Sequence, residues 1–237
     1  MPGSGPLRRS SLRQQIAEAL REEVLTGRLG AGRHFTVKEI ADLYGVSATP
    51  VREALVDLAA QGLLDVEHHR GFQVRRFTHD DYRDLVRART LVTDGLLRTM
   101  AEDPDSWCRR AEALESVRRR AQAAAGAARA GTLDVLVGCD LRFWRELGML
   151  AGNVHVSEFL DRLRGQSWVF AVPYLRGVPD LAGVCWTGHE ELADAVRDGD
   201  HGAARRIMAA YNEHSLTVVD GLVERSGPGP AAQRRDA

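Results

Sequence analysis

Three neighbouring side chains could read a nucleic acid. Ala48, Thr49 and Arg52 supply a small group, a hydroxyl and a guanidinium near the predicted start of one short helix. A helix start lying in a major groove brings such groups to phosphates and base edges, and a guanidinium can grip guanine with two hydrogen bonds. The competing reading of Arg52 is a surface ion pair with Glu53 or Asp57. No nucleophile motif and no glycine-rich phosphate loop occurs, which argues against an enzyme. Cys108, Cys139 and Cys185 are far apart and form no C-x-x-C pair, so they read as buried thiols rather than a disulfide framework or a zinc site.

Those reading groups need two short helices to hold them. Thr36 and Glu39 have the spacing of a capping box, in which each side chain bonds the other's backbone N–H. Behind that cap, Val37, Ile40, Ala41 and Tyr44 repeat at three-and-four spacing, leaving Lys38 and Asp42 in water. Gly45 supplies the turn, Val46 plugs the angle and Ser47 is the expected cap of the second helix. Pro50 falls in that helix's first turn, and Val51, Leu55 and Leu58 make its buried face. An αα-hairpin around a glycine has the same spacing, so the motif alone leaves a structural hairpin beside a DNA reader. The next residues favour the reader. Residues 63–66 form a predicted strand, His68, His69, Arg70 and Gly71 a tip, and residues 72–74 a returning strand, together a wing.

The length of 237 residues suits two domains, and the net charge of −1 announces no nucleic acid, so the argument rests on where charge sits. The opening MPGSGPLRRSS lacks an apolar core of signal-peptide length, and no long apolar run follows, so a soluble cytoplasmic protein with no membrane partner is expected. Residues 1–10 and 226–237 are expected to be disordered tails. A first domain over 11–76 begins with a helix marked by Leu12, Ile16, Ala19, Leu20 and Val24, followed by a connector over 29–35. A second domain over 78–225 is predicted all-helical, with helices at 79–101, 105–129, 132–150, 154–172, 187–198 and 201–224. Thr187 and Glu190 offer another capping box. The fold class is therefore mostly α: an N-terminal winged helix-turn-helix with a small β-hairpin wing, then an all-α helical bundle.

The runs LRQQIAEALREEVLTGRLGAG, VKEIADLYGVSATPVREALVDLAAQGLL and HHRGFQV resemble the winged helix-turn-helix of GntR-family transcriptional regulators. That resemblance implies DNA contacts at Lys38, Ser47, Thr49 and Arg52, and at the wing through His68, Arg70 and Gly71, the glycine allowing close approach to a groove. The helical part resembles the FCD effector domain of the FadR subfamily. Arg89, Asp140 and the run HEELADAVRDGDHGAARRIM carry the likeness, while Thr93 replaces an acid of that family.

Many FCD domains bind a divalent metal through one Asp and three His. Asp140 and His189 match that set, but Trp144 and Tyr211 stand in the other two places, and His214, three residues on, is a possible substitute. Three readings follow. One is a metal site of Asp140, His189 and His214, another a filled aromatic core. The preferred reading is a pocket that requires no cofactor, with Trp144 and Tyr211 as an aromatic wall, Arg89 as a carboxylate anchor, and His189 and His214 beside it. Trp107, Trp168 and Trp186 are assigned to core or dimer contacts. The implied function is a ligand-responsive regulator, a repressor, binding double-stranded operator DNA as a homodimer with a small-molecule effector such as an organic acid. The alternatives are a metal-dependent regulator, a constitutive DNA-binding protein without effector, and a metal-dependent hydrolase.

Overall fold

A computed structural model describes residues 12–67, 70–102 and 111–226. Contacts divide the chain into two compact units between Arg75 and Arg76. The tails expected at 1–10 and 226–237 lie outside the described residues, apart from Ser226.

In the first unit, helix α1 (Leu12–Leu25) buries Ile16, Leu20, Val24 and Leu25 and packs on α3. Helix α2 (Val37–Tyr44) starts on the Thr36/Glu39 capping box: Thr36 N–H donates to Glu39 Oε2 at 2.6 Å and Glu39 N–H to Thr36 Oγ1 at 3.2 Å. Gly45, at φ 63°, ends it. Helix α3 (Ala48–Ala60) buries Val51, Ala54, Leu55 and Leu58. Each such leucine contributes about 1.5–3 kcal/mol by leaving water. Ser47 holds the cap position, yet its hydroxyl makes no cap bond. Pro50 removes one of the two N–H groups such a cap can engage, because the third residue of the helix has none to offer.

Strands β2 (Leu64–Glu67) and β3 (Gly71–Val74) form the wing, and β1 (His34–Phe35) pairs with β3 to give the order β1-β3-β2, all antiparallel. The segment expected as a bare connector thus contributes a strand. Gly71 also has a role inside the sheet. At φ 97° it lies against β1, where a Cβ would fall 2.5 Å from the Phe35 carbonyl oxygen, so the sheet itself demands glycine.

Among the described residues the second unit has six helices: α4 (His79–Glu102), α5 (Ala111–Arg129), α6 (Leu133–Leu150), α7 (Val154–Arg176), α8 (His189–Arg197) and α9 (His201–Ser226). The first residues of the helix expected from 105 lie outside the described ones. Ala121, Ala124, Ala125 and Ala128 bury one face of α5, and these small side chains allow close packing on α6. Helix α4 packs on α7 and α9, and its start is clipped to α9 by Asp220, which accepts from Arg83 at 2.6 Å and pairs with His79 at 2.6 Å.

Two boundaries differ from expectation. Helix α7 runs through Pro173 to Arg176, a full turn beyond the expected stop. Helix α8 begins at His189 with Gly188 as its cap residue and no side-chain cap, so the Thr187/Glu190 box does not form. The Trp186 ring folds over Gly188, and a Cβ there would sit 2.6 Å from it. No helix among the described residues is long and apolar enough to cross a membrane.

Candidate functional site

The reading face lies on α2 and α3. Lys38, Ser47, Thr49 and Arg52 are all exposed, on the side away from the Val51–Leu55–Leu58 core. The suggested ion pair of Arg52 with Asp57 does not form, because Asp57 accepts a two-bond fork from Arg13 of α1 at 2.7 and 2.6 Å. Arg52 has no carboxylate partner among the described residues. Arg70 is exposed in the wing turn, where its N–H donates to the Glu67 carbonyl at 3.1 Å. His68 lies outside the described residues.

The second site is a cavity of about 80 Å³ inside the helical unit, whose lining includes Arg89, Asp140, Arg164, Trp168, His189 and Tyr211. Polar residues at core-facing positions build it. On α4 the buried stripe Tyr82, Val86, Arg89, Thr93 and Leu97 carries the Arg89 guanidinium inward. Its Nε–H donates to Asn212 Oδ1 at 3.0 Å and its Nη1 lies 3.4 Å from the Tyr211 hydroxyl. On α7 Arg164 falls among Leu160, Leu163, Ser167 and Ala171, and its guanidinium lies 4.3 Å above the Trp144 ring. Burial, then the charge of Arg89, lower the Arg164 pKa to about 10. Burial raises the Tyr211 phenol, and it pushes the Cys185 thiol up to about 11, leaving that cavity-lining thiol inert.

Asp140 sits at the centre of the polar cage. Its Oδ1 accepts from Trp144 Nε1 at 2.8 Å and pairs with His189 Nε2 at 3.0 Å, while Oδ2 accepts from Trp168 Nε1 at 2.9 Å. Both oxygens are therefore engaged. Of the residues anticipated from the sequence, Arg89, Asp140, His189, Tyr211 and His214 line this cavity. Trp144 instead stands behind Asp140 and lines a smaller second cavity of about 40 Å³ with Thr93 and Arg164. Three participants were not anticipated: Arg164, Asn212 and Trp168, the last assigned only to packing. The available signal was a polar residue inside an apolar helical stripe, which Arg164 and Asn212 both show.

The donor set does not fit a divalent ion. His214 Nε2 bonds the Val184 carbonyl at 2.9 Å, away from Asp140. Trp144 offers an indole N–H, which donates and cannot ligate. Among the described residues no three of His, Cys, Asp and Glu converge in a metal-holding group.

An exposed helix-turn-helix with a wing, joined to a helical unit holding a largely apolar cavity with a few buried polar groups, defines a DNA-binding regulator with a ligand domain. Residues 12–74 match the model for bacterial regulatory proteins of the gntR family, and residues 84–214 match the FCD domain. The chain belongs to this family of transcription regulators. It is 28% identical over 229 residues to a protein of Paenarthrobacter nicotinovorans described as a probable D-xylose utilization operon transcriptional repressor, across 93% of this chain and 97% of that one. A Bacillus subtilis HTH-type regulator, YdhC, is 22% identical across 89% of this chain and 92% of its own length. Among solved structures, Escherichia coli McbR/YncC superposes with a TM-score of 0.70 at 21% identity, across 92% of this chain and 99% of that one. A GntR regulator of Rhodococcus sp. RHA1 gives 0.63 at 23% identity, across 90% and 99%. At these identities the likeness to solved structures speaks for the fold.

Proposed function

We propose that this regulator is a repressor that works as a homodimer on a pseudopalindromic operator and responds to a small organic effector held in the Arg89–Asp140–His189 cavity. The observation that carries this reading is a buried guanidinium, Arg89, whose Nη2 meets no protein partner beside a half-open cavity. A regulator without an effector gains nothing from such a group, since an unsatisfied buried donor costs about 1–3 kcal/mol. The exposed row Lys38, Ser47, Thr49 and Arg52 suits one half-site, and one recognition helix reads too few base pairs alone, which favours two copies. Arg52 is assigned the base contact, and Lys38, Ser47, Thr49, Arg70 and His68 the phosphates. The effector acts by binding the DNA-releasing arrangement more tightly than the DNA-bound one. The protein acts in the cytoplasm and catalyses no reaction.

Selection of bound sequences from random DNA tests the reader: two inverted half-sites and two chains per complex are expected. A screen of small organic acids on that operator complex tests the switch, with weakened operator binding expected from at least one of them. A single asymmetric site occupied by one chain sinks the dimer, and an operator affinity indifferent to every acid sinks the effector in favour of a constitutive DNA-binding protein.

A further inference from the structure

We infer that the cavity takes a small organic acid with one carboxylate, gripped between the guanidiniums of Arg89 and Arg164, and that these two arginines do the work a divalent metal would otherwise do. This inference rests on the cavity being the effector site. Arg89 and Arg164 are only 2% and 3% exposed, come from different helices, and line the same cavity. Each leaves an N–H unanswered: Nη2 of Arg89 and Nε of Arg164. Neither has a carboxylate partner among the described residues. Arg89 is met by the neutral Asn212 and Tyr211, and Arg164 lies flat on Trp144. Two like charges buried side by side without a hydrogen-bonded carboxylate are costly for a core to hold, and an anion placed between them relieves both.

The charges also set the size of that anion's charge. Asp140 is consumed inside the protein, by Trp144, Trp168 and His189. His189 Nε2 faces Asp140 while its Nδ1 meets no partner. With the imidazole counted as neutral, the formal charges of Arg89 and Arg164 against Asp140 leave one positive charge in the cage. One carboxylate closes the balance, whereas a dicarboxylate leaves a surplus negative charge against mostly apolar walls. The remaining walls, among them Leu136, Leu175, Val184, Val218 and Trp186, ask for an apolar body such as a short chain or a single ring. A metal is redundant here, since the positive charge it would supply is already built into α4 and α7.

The test uses the full chain after dialysis against EDTA, with thermal shift and calorimetric titration. The probes are benzoate and hexanoate, their amides benzamide and hexanamide, and the dianions phthalate and succinate. At least one monocarboxylate should raise Tm, with its amide and the corresponding dianion binding roughly tenfold or more weakly, and added zinc should leave its Kd unchanged. Arg164→Met should abolish the ligand shift while leaving the unliganded Tm equal to or above that of the wild type, because a buried charge has been removed. A merely structural arginine would lower it. Indifference to both acids, equal binding of the amide, a requirement for metal, or a ligand shift retained in Arg164→Met would each overturn the inference. Operator affinity is measured separately: an acid that binds through Arg164 without loosening the operator leaves this site standing and sinks the switch.

Discussion

The two units place their polar chemistry on opposite sides of their cores. In the first, the groups suited to DNA stand on the surface, and Thr26 is the only polar residue among the described ones there that is buried. In the second, Arg89, Thr93, Asp140, Arg164, Ser167, His189 and Asn212 are all buried among leucines and aromatic rings. A surface site can be changed without disturbing what holds the fold together. A site built into a core cannot, because each of its charges is also a packing and solvation problem. The first unit should therefore separate stability from function, and the second should trade one against the other.

Removing the centre of the buried cage gives the largest expected effect. Asp140→Ala orphans two indole N–H groups and one imidazole, and removes a negative charge that acts on Arg164, a loss of about 3–5 kcal/mol. All four tryptophans of the chain lie beyond residue 76, so indole fluorescence during urea unfolding reads this domain without the reader. A midpoint unchanged by Asp140→Ala would break the contrast between the units.

Arg52→Ala is the matching change on the surface. Loss of one base contact in each of two half-sites should weaken operator discrimination by about 2–6 kcal/mol, read as anisotropy titrations on specific and scrambled DNA. The reader's urea midpoint, followed by far-UV circular dichroism rather than indole emission, should not move measurably, since Arg52 has no carboxylate partner among the described residues. A drop in stability comparable to the loss of DNA binding would mean that the surface site is no more separable than the buried one.

The smallest expected effect is a dependence on pH at the start of α4. The two-bond fork from Arg83 holds the Asp220 carboxyl below its usual range against the opposing push of burial, and the bond with His79 adds a further lowering. A carboxyl depressed in the fold adds stability above its unfolded pKa, and that stability fades as pH falls from about 4 through the lower folded value. Asp220→Asn should therefore cost stability at pH 7 and little at pH 3, measured as the difference between wild-type and variant Tm at the two values. An equal cost at both would assign Asp220 to packing rather than charge.

The locally encoded parts of the reader were legible in the sequence. The Thr36/Glu39 box spans one turn, and the exposure of Lys38, Thr49 and Arg52 follows from which neighbours carry the apolar period. The failures in this unit involve partners elsewhere in the chain or an exception of chemistry. Strand β1 exists through its pairing with β3, the packing demand on Gly71 comes from a carbonyl 36 residues away, and Ser47 makes no cap bond where a proline occupies one of its two target positions. In the helical unit the helices were legible from apolar period, and Arg89, Asp140, His189, Tyr211 and His214 do gather at one cavity. Trp144 and Trp168 exchanged their expected roles: the first stands behind Asp140, and the second lines the cavity and bonds it.

By itself the sequence determined what depends on neighbours along the chain: the capped helix pair, the wing's alternation, the helical stretches and their apolar faces. It also established that two of the four positions of a family metal set are aromatic. Only the tertiary structure decided which side chains converge from different helices: that Asp140 is fully engaged by two indoles and an imidazole, that His214 is turned to the Val184 carbonyl, and that Arg164 joins Arg89. Helical period tells which face a residue occupies. It does not tell which residue of another helix stands opposite, because that is settled by how whole side-chain surfaces pack.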